Sequence, residues 1–298
     1  MFTLPENTVL RAGLFMVLAM ASFVANDTCV KLIGQSLPVG EIVAIRGILS
    51  SLFIAAICAR QGVLGHWPLI LTGPVMSRAA LDLIGTLLFI TALMHMNIAN
   101  LTAILQAVPL AVAFLSALFL GERVGIGRWT AIAAGFIGVL MIVKPSPSSF
   151  TVYEGFALTI VFSLACRDII TRRIPGRIPT LIIALANAIF VTAGGIVLGF
   201  IQGWQMPALW QLGLLALASL FLGTGYMFMV ATLRTGDLSA TAPFRYSILL
   251  FAIFSGVAVF GEFPGRVAIL GMILIAATGL YAAQRESQVK DTSRTTAR

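Results

Sequence analysis

From about residue 11 to about residue 284 the sequence is a succession of apolar stretches, each long enough to cross a bilayer as a helix. Roughly 20 apolar residues are needed to span the hydrocarbon. Ten stretches can be drawn, at 11–34, 39–60, 69–94, 97–120, 126–143, 150–172, 178–202, 207–233, 238–261 and 265–284. Most separators are short and carry helix-breaking residues, among them Leu37-Pro38, Trp67-Pro68, Pro145-Ser146-Pro147, Pro175-Gly176, Met206-Pro207 and Phe263-Pro264-Gly265. The third and fourth stretches are divided only by Asn97 and its neighbours. The first stretch is too long for the core of a signal peptide and reads as a transmembrane helix. The polar tail, 285–298, is expected to be disordered and cytoplasmic.

Composition points the same way. At 59% hydrophobic and 10% charged residues, the chain has too little polar surface to face water on all sides, whereas lipid accepts an apolar exterior. The net charge of +8 suggests a nucleic-acid partner, but the 19 Lys and Arg sit at the ends of apolar runs and form no stripe. With the N-terminus inside, twelve fall in cytoplasmic segments, only Lys31, Lys144 and Arg266 on the opposite side, and Arg46, Arg78, Arg167 and Arg245 within spans. That bias predicts a multi-pass inner-membrane protein with both termini in the cytoplasm. Cys29, Cys58 and Cys166 lie inside apolar runs at spacings that fit no zinc or redox motif.

The two halves repeat. At an offset of 141, Phe15 meets Phe156, Asp27 meets Asp168, Lys31 meets Arg172, Pro38 meets Pro179 and Gly62 meets Gly203. At 140, Gly85 meets Gly225, and Gly121-Glu122 meets Gly261-Glu262. Five helices per repeat is odd, so the second copy inserts upside down. The expected architecture is all-α: a polytopic membrane protein of ten transmembrane helices in two inverted repeats, 1–145 and 146–284. Inverted repeats give secondary transporters two near-equivalent states around a midplane site.

On these features the sequence resembles the EamA branch of the drug/metabolite transporter superfamily. The resemblance covers nearly the whole chain: ten helices, two halves, and a Gly-Glu pair closing the fourth helix of each. Pro109 to Gly121-Glu122 is similar to the family's first-half pattern. Ala242-Pro243-Phe244-Arg245-Tyr246, followed by Phe260-Gly261-Glu262, is similar to its second. Leu249 stands where the second half often carries a proline matching Pro109, so the ninth helix lacks that kink-forming residue. The resemblance implies export of small metabolites, with relatives for nucleotide-sugars, riboflavin or S-adenosylmethionine, and is nearest to YddG-type amino-acid exporters.

Ionisable groups inside spans are costly and normally face the bundle interior with a partner. Asp27/Lys31, Arg78/Asp82 and Asp168/Arg172 are each spaced i,i+4 and can meet on one helix face. The first and third pairs lie at mirrored depths. They read either as symmetric gates or as helix-end charges that neutralise one another. Arg46 is poorly placed for Glu41, and Arg245 has no acid within a turn, so it could take a carboxylate by a two-pronged contact. Ser22, Asn26, Gln106, Asn187, Tyr226 and Tyr246 fall in the middle thirds of their helices. Together they suggest a polar cavity for a ligand of near-zero net charge; singly, each could serve only interhelical bonding.

Other function classes fit less well. His66 and His95 have no acid at metal-ligand spacing, and no Gly-x-Ser-x-Gly, intramembrane Asp-Asp pair or phosphate-cradling Gly-Lys loop occurs. A channel would need carboxylate rings or a filter sequence. The expected protein is therefore a non-enzymatic secondary transporter, without cofactor or metal, exporting amino acids or related small metabolites. The alternatives are a riboflavin or S-adenosylmethionine carrier, then an intramembrane enzyme. Its partners are a small-molecule substrate and the bilayer; a monomer is compatible with the sequence.

Overall fold

A computed structural model describes residues 8–119, 121, 125–144, 151–235 and 238–296. Among these every regular element is a helix, and the helices fall where the apolar stretches fall. They are α1 (Thr8–Ile33), α2 (Val39–Arg60), α3 (Gly73–His95), α4 (Ile98–Leu105), α5 (Val108–Phe119) and α6 (Ile126–Val143). In the second half come α7 (Val152–Arg172), α8 (Thr180–Gln202), α9 (Leu209–Thr235), α10 (Leu238–Arg245), α11 (Ser247–Phe260) and α12 (Arg266–Thr296). A 3-10 segment, Val63–Leu71, precedes α3. Among the described residues, seven spans are long and apolar enough to cross a membrane, counting Ile98–Phe119 and Pro243–Phe260 as one each. Trp129–Val143 and Arg266–Ala282 are apolar but shorter. The tenth, α7, has 21 residues and carries the charges Glu154, Arg167, Asp168 and Arg172.

The repeat is visible in the helix bounds. At the offset of 140, α4 maps end for end onto α10, and Ile126 at the start of α6 onto Arg266 at the start of α12. At 141, Val39 at the start of α2 maps onto Thr180 at the start of α8. Backbone hand agrees as well: Gly62 (φ 69°) matches Gly203 (φ 85°), and Gly121 (φ 66°) matches Gly261 (φ 65°). Left-handed backbone at a helix end favours glycine because a Cβ would be strained there.

Two expectations need amending. The backbone of α12 runs on through 285–296, where disorder was expected; Gln284, Arg285, Glu286, Gln288 and Lys290 are good helix formers and no Gly or Pro stops the helix. The third span begins at Gly73 rather than 69, because Pro68 lies in the 3-10 segment. The repeat boundary at 145/146, the residues Glu122 and Arg123, and Pro145 to Pro147 lie outside the described residues.

Compact units do not coincide with the sequence repeats. One unit comprises Met1–Thr28, Asn97–Thr151 and Leu220–Arg298; the other comprises Cys29–Met96 and Val152–Ser219. Each takes helices from both halves. In the first unit, repeat-equivalent α6 and α12 pack together, with Gly138 and Gly271 set against each other's backbone. The α1 face of Met16, Ala19 and Met20 is covered by Phe228, Met229 and Phe244. In the second unit, repeat-equivalent α2 and α8 form the closest seam. A Cβ at Gly195 would lie 2.7 Å from the Ala44 nitrogen, and Gly40 leaves no room against Gly199. Such spacing lets helix backbones approach in a bilayer, where packing replaces the hydrophobic effect.

Candidate functional site

The fourth and ninth spans are broken at equivalent places. Between α4 and α5 the chain tightens: Gln106 N donates to Ala103 O (3.1 Å) and Ala107 N to Ile104 O (3.0 Å). Pro109 has no N–H, so the Leu105 carbonyl loses its ordinary helical donor. Between α10 and α11, Tyr246 N donates to Pro243 O (3.2 Å) and Leu249 N to Tyr246 O (3.1 Å). Gln106 and Tyr246 are related by the 140 offset. The ninth span is thus broken without a proline at 249, and Pro243 inside α10 is the proline that precedes its break. Gln106 lies eight residues into the span Ile98–Phe119, about 12 Å from one end at the helical rise. Discontinuous helices near mid-depth are where transporter folds build binding sites, because the freed carbonyls and helix ends face a cavity.

Both broken spans belong to the first unit, and α4 packs on α11 and α12 there. Glu262, just after the left-handed Gly261, accepts the Ile98 N–H at its Oε2 (3.1 Å) and so caps the start of α4. Gly256 leaves α11 close to the Ile98 side chain, and the Thr28 and Ser255 hydroxyls meet at 2.6 Å. Gln106 is buried; Tyr246 is half-buried, with its hydroxyl pressed against Gly279 of α12. Asn100 Oδ1 and Ser247 Oγ are buried and have no hydrogen-bond partner among the described residues. An oxygen left in that state costs roughly 1–3 kcal/mol unless a ligand or water supplies the bond.

The other sequence candidates in this unit are scattered. Ser22 bonds to the Leu18 carbonyl of its own helix (2.8 Å). Asn26 is buried and donates to Asp27 Oδ1 (2.8 Å). Tyr226 is 60% exposed, edge-on to Phe23. Arg245 is exposed at the end of α10.

The second unit holds a charge network the sequence shows only in part. Arg78 and Asp82 pair at 3.0 Å. Arg167 on α7 reaches Asp82 at 2.8 Å and Asp168 at 2.7 Å, while Arg78 Nε donates to Thr171 Oγ1 at 3.0 Å. Two guanidiniums balance two carboxylates, which is what makes four charges tolerable on adjacent apolar helices. Asp168 is also held by Arg167, its chain neighbour. At the equivalent place in the first half, Asn26 bonds Asp27 as Arg167 bonds Asp168. Lys31 is buried and donates to the Met96 carbonyl at 2.7 Å, a tie that its i,i+4 relation to Asp27 does not reveal.

Glu41 is fully buried, and its Oε2 accepts the Gln205 N–H (3.1 Å), while Gln202 Oε1 accepts the Gly40 N–H (2.9 Å). Together they tie the start of α2 to the end of α8. Arg46 and Asn187 are half-buried in this unit, and Asn187 Oδ1 has no hydrogen-bond partner among the described residues.

Known proteins give the frame for these features. The chain is 25% identical to the S-adenosylmethionine uptake transporter of Rickettsia conorii, over 92% of each chain. It is 29% identical to the pseudopaline exporter CntI of Pseudomonas aeruginosa, over 90% of this chain and 94% of that one. It is 26% identical to the riboflavin transporter of Rhizobium johnstonii, over 71% and 70%. A solved crystal structure shares the fold with a TM-score of 0.57 at 16% identity, over 93% of this chain and 97% of that one. The EamA-like transporter family matches residues 10–144 and 152–281, one copy for each half, and the chain belongs to that family.

Proposed function

We propose that the protein is a secondary carrier that moves a small metabolite bearing an amino-acid moiety across the inner membrane by alternating access. The observation that carries this reading is the pair of breaks at Gln106 and Tyr246, placed at the same register of the two repeats and within one compact unit. In the proposed site the Gln106 amide and Tyr246 hydroxyl hydrogen-bond the ligand. Asn100 and Ser247 supply the oxygens that otherwise lack partners. Arg245, one residue before the break, takes the carboxylate by a two-pronged contact. Asn26 and Ser22 on α1 are secondary members.

The substrate proposal is an amino acid or a relative of one, moved outward. A second reading, transport of S-adenosylmethionine itself, is favoured by the uptake transporter that aligns over 92% of this chain. Both ligands carry an α-amino-carboxylate, so one experiment treats them together. Purified protein in detergent is screened by thermal shift against amino acids, S-adenosylmethionine, riboflavin and the carboxamide forms of any hits. Ligand at about 100 times its Kd stabilises by about 2.7 kcal/mol, a shift of several degrees. Carboxylates should shift the melt and their carboxamides should not. A shift by riboflavin alone would remove the amino-acid moiety from the proposal.

A further inference from the structure

A cavity of about 330 Å³ opens in the second unit where α3, α7 and the start of α8 meet. Its polar lining is Arg78, Thr171 and Thr180; Ile174, Ile178 and Ile183 make apolar walls. Arg78 does not hang free there. Its Nε is held by Thr171, and its Nη1 lies 3.0 Å from Asp82 Oδ2 as an ion pair but without a hydrogen bond among the described residues. The first residue of α8, Thr180, is in the wall, and α8 begins at Pro179 without a side-chain cap. Its first amides therefore add the positive end of a helix to the guanidinium. Exposed Arg173 and Arg177 flank the Ile174–Gly176 wall in the chain.

We propose that this cavity binds the phosphate of an anionic phospholipid headgroup. Arg78 and the amide end of α8 face the phosphate, while the isoleucines meet the glycerol and the first acyl carbons. Charge selects a headgroup of net negative charge, because a choline ammonium would meet Arg78, Arg173 and Arg177 with like charge, and the walls select what is attached to the phosphate. A soluble anion gains nothing from Ile174 and Ile183, whereas a lipid at the end of membrane-spanning helices presents apolar atoms there. Basic pockets between helices at a membrane surface suit such headgroups. The site lies in the unit that does not contain the broken helices, and its test does not rest on the transport reading.

The test uses the full chain in detergent, observed by native mass spectrometry during titration with phosphatidylglycerol or phosphatidylcholine of matched acyl chains. Phosphatidylglycerol should bind about tenfold more tightly, as one ion-paired contact allows. Ala184→Phe, which fills the cavity without touching a charge, should abolish that preference, and Arg78→Gln should do the same if it folds. Arg266→Gln, an exposed arginine of the other unit, should leave it unchanged. Equal retention of the two lipids would overturn the proposal, as would retained preference in folded Ala184→Phe. Displacement of the lipid by millimolar inorganic phosphate would overturn it too, by assigning the cavity to a soluble anion.

Discussion

The seam between α2 and α8 makes a quantitative prediction for Gly195→Ala. The new Cβ would sit 2.7 Å from the Ala44 nitrogen, 2.8 Å from Val43 Cγ1 and 3.0 Å from the Val43 carbonyl carbon. Two of these are backbone atoms of a helix that cannot rotate away, so α2 must shift. Overpacking of this kind costs about 1–3 kcal/mol. The gain in helix propensity from Gly to Ala offsets at most about 1 kcal/mol. A net loss near 1–2 kcal/mol corresponds to a melting point lower by roughly 2–8 °C for a chain of this size. Gly213→Ala is the internal control. It lies within α9, is exposed, and a Cβ there meets nothing within 4 Å, so only the propensity gain remains. Thermal melts of both variants in one detergent decide the matter: the two shifts should differ in sign or by several degrees. Equal shifts would refute the claim that glycine at 195 is there for helix approach.

Further outcomes follow from the same geometry. Arg167→Gln leaves Asp82 with Arg78 alone and Asp168 without Arg167, and should lower stability by about 1–3 kcal/mol, less than a fully dry pair because Arg167 is 25% exposed. The double variant with Asp82→Asn should recover part of that loss in a melting-based cycle; strict additivity would count against the network. Gly279→Ala forces the Tyr246 hydroxyl out of its place, so it should reduce ligand-induced stabilisation as Tyr246→Phe does, while melting without ligand changes little. Arg245→Gln should weaken binding of carboxylate ligands about tenfold or more and leave the protein monodisperse. For orientation, Met206→Cys, at a position 96% exposed, should react with an impermeant thiol reagent added outside intact cells; reaction only after permeabilisation would reverse the assigned topology.

What was legible in the sequence was whatever depends on one helix at a time. Span positions follow from apolar length, and the Gly121/Gly261 equivalence from the offset of 140. The Arg78/Asp82 pair was readable because i and i+4 share a face. Arg167 was not, since its second partner is on another helix and its first is the adjacent residue, a spacing that face-matching ignores. Lys31 also donates to the Met96 carbonyl, and a main-chain acceptor has no sequence signature. Glu41 was weighed only against Arg46, yet it serves the Gln205 amide across the α2–α8 seam. In the ninth span the absence of a proline at 249 hid a break whose proline lies at 243, before the break instead of after it.

Counterflow through proteoliposomes tests the central claim most directly, because a carrier exchanges substrate without chemical change and without any energy source. Vesicles holding the wild-type protein are loaded with unlabelled ligand identified by the thermal-shift screen and placed in a trace of labelled ligand. The expected result is transient accumulation of unaltered label inside, lost in Gln106→Ala and Tyr246→Phe that are still folded and inserted. Accumulation that survives both substitutions would remove the broken helices from the site, and label that is chemically altered or never accumulates would contradict the carrier itself.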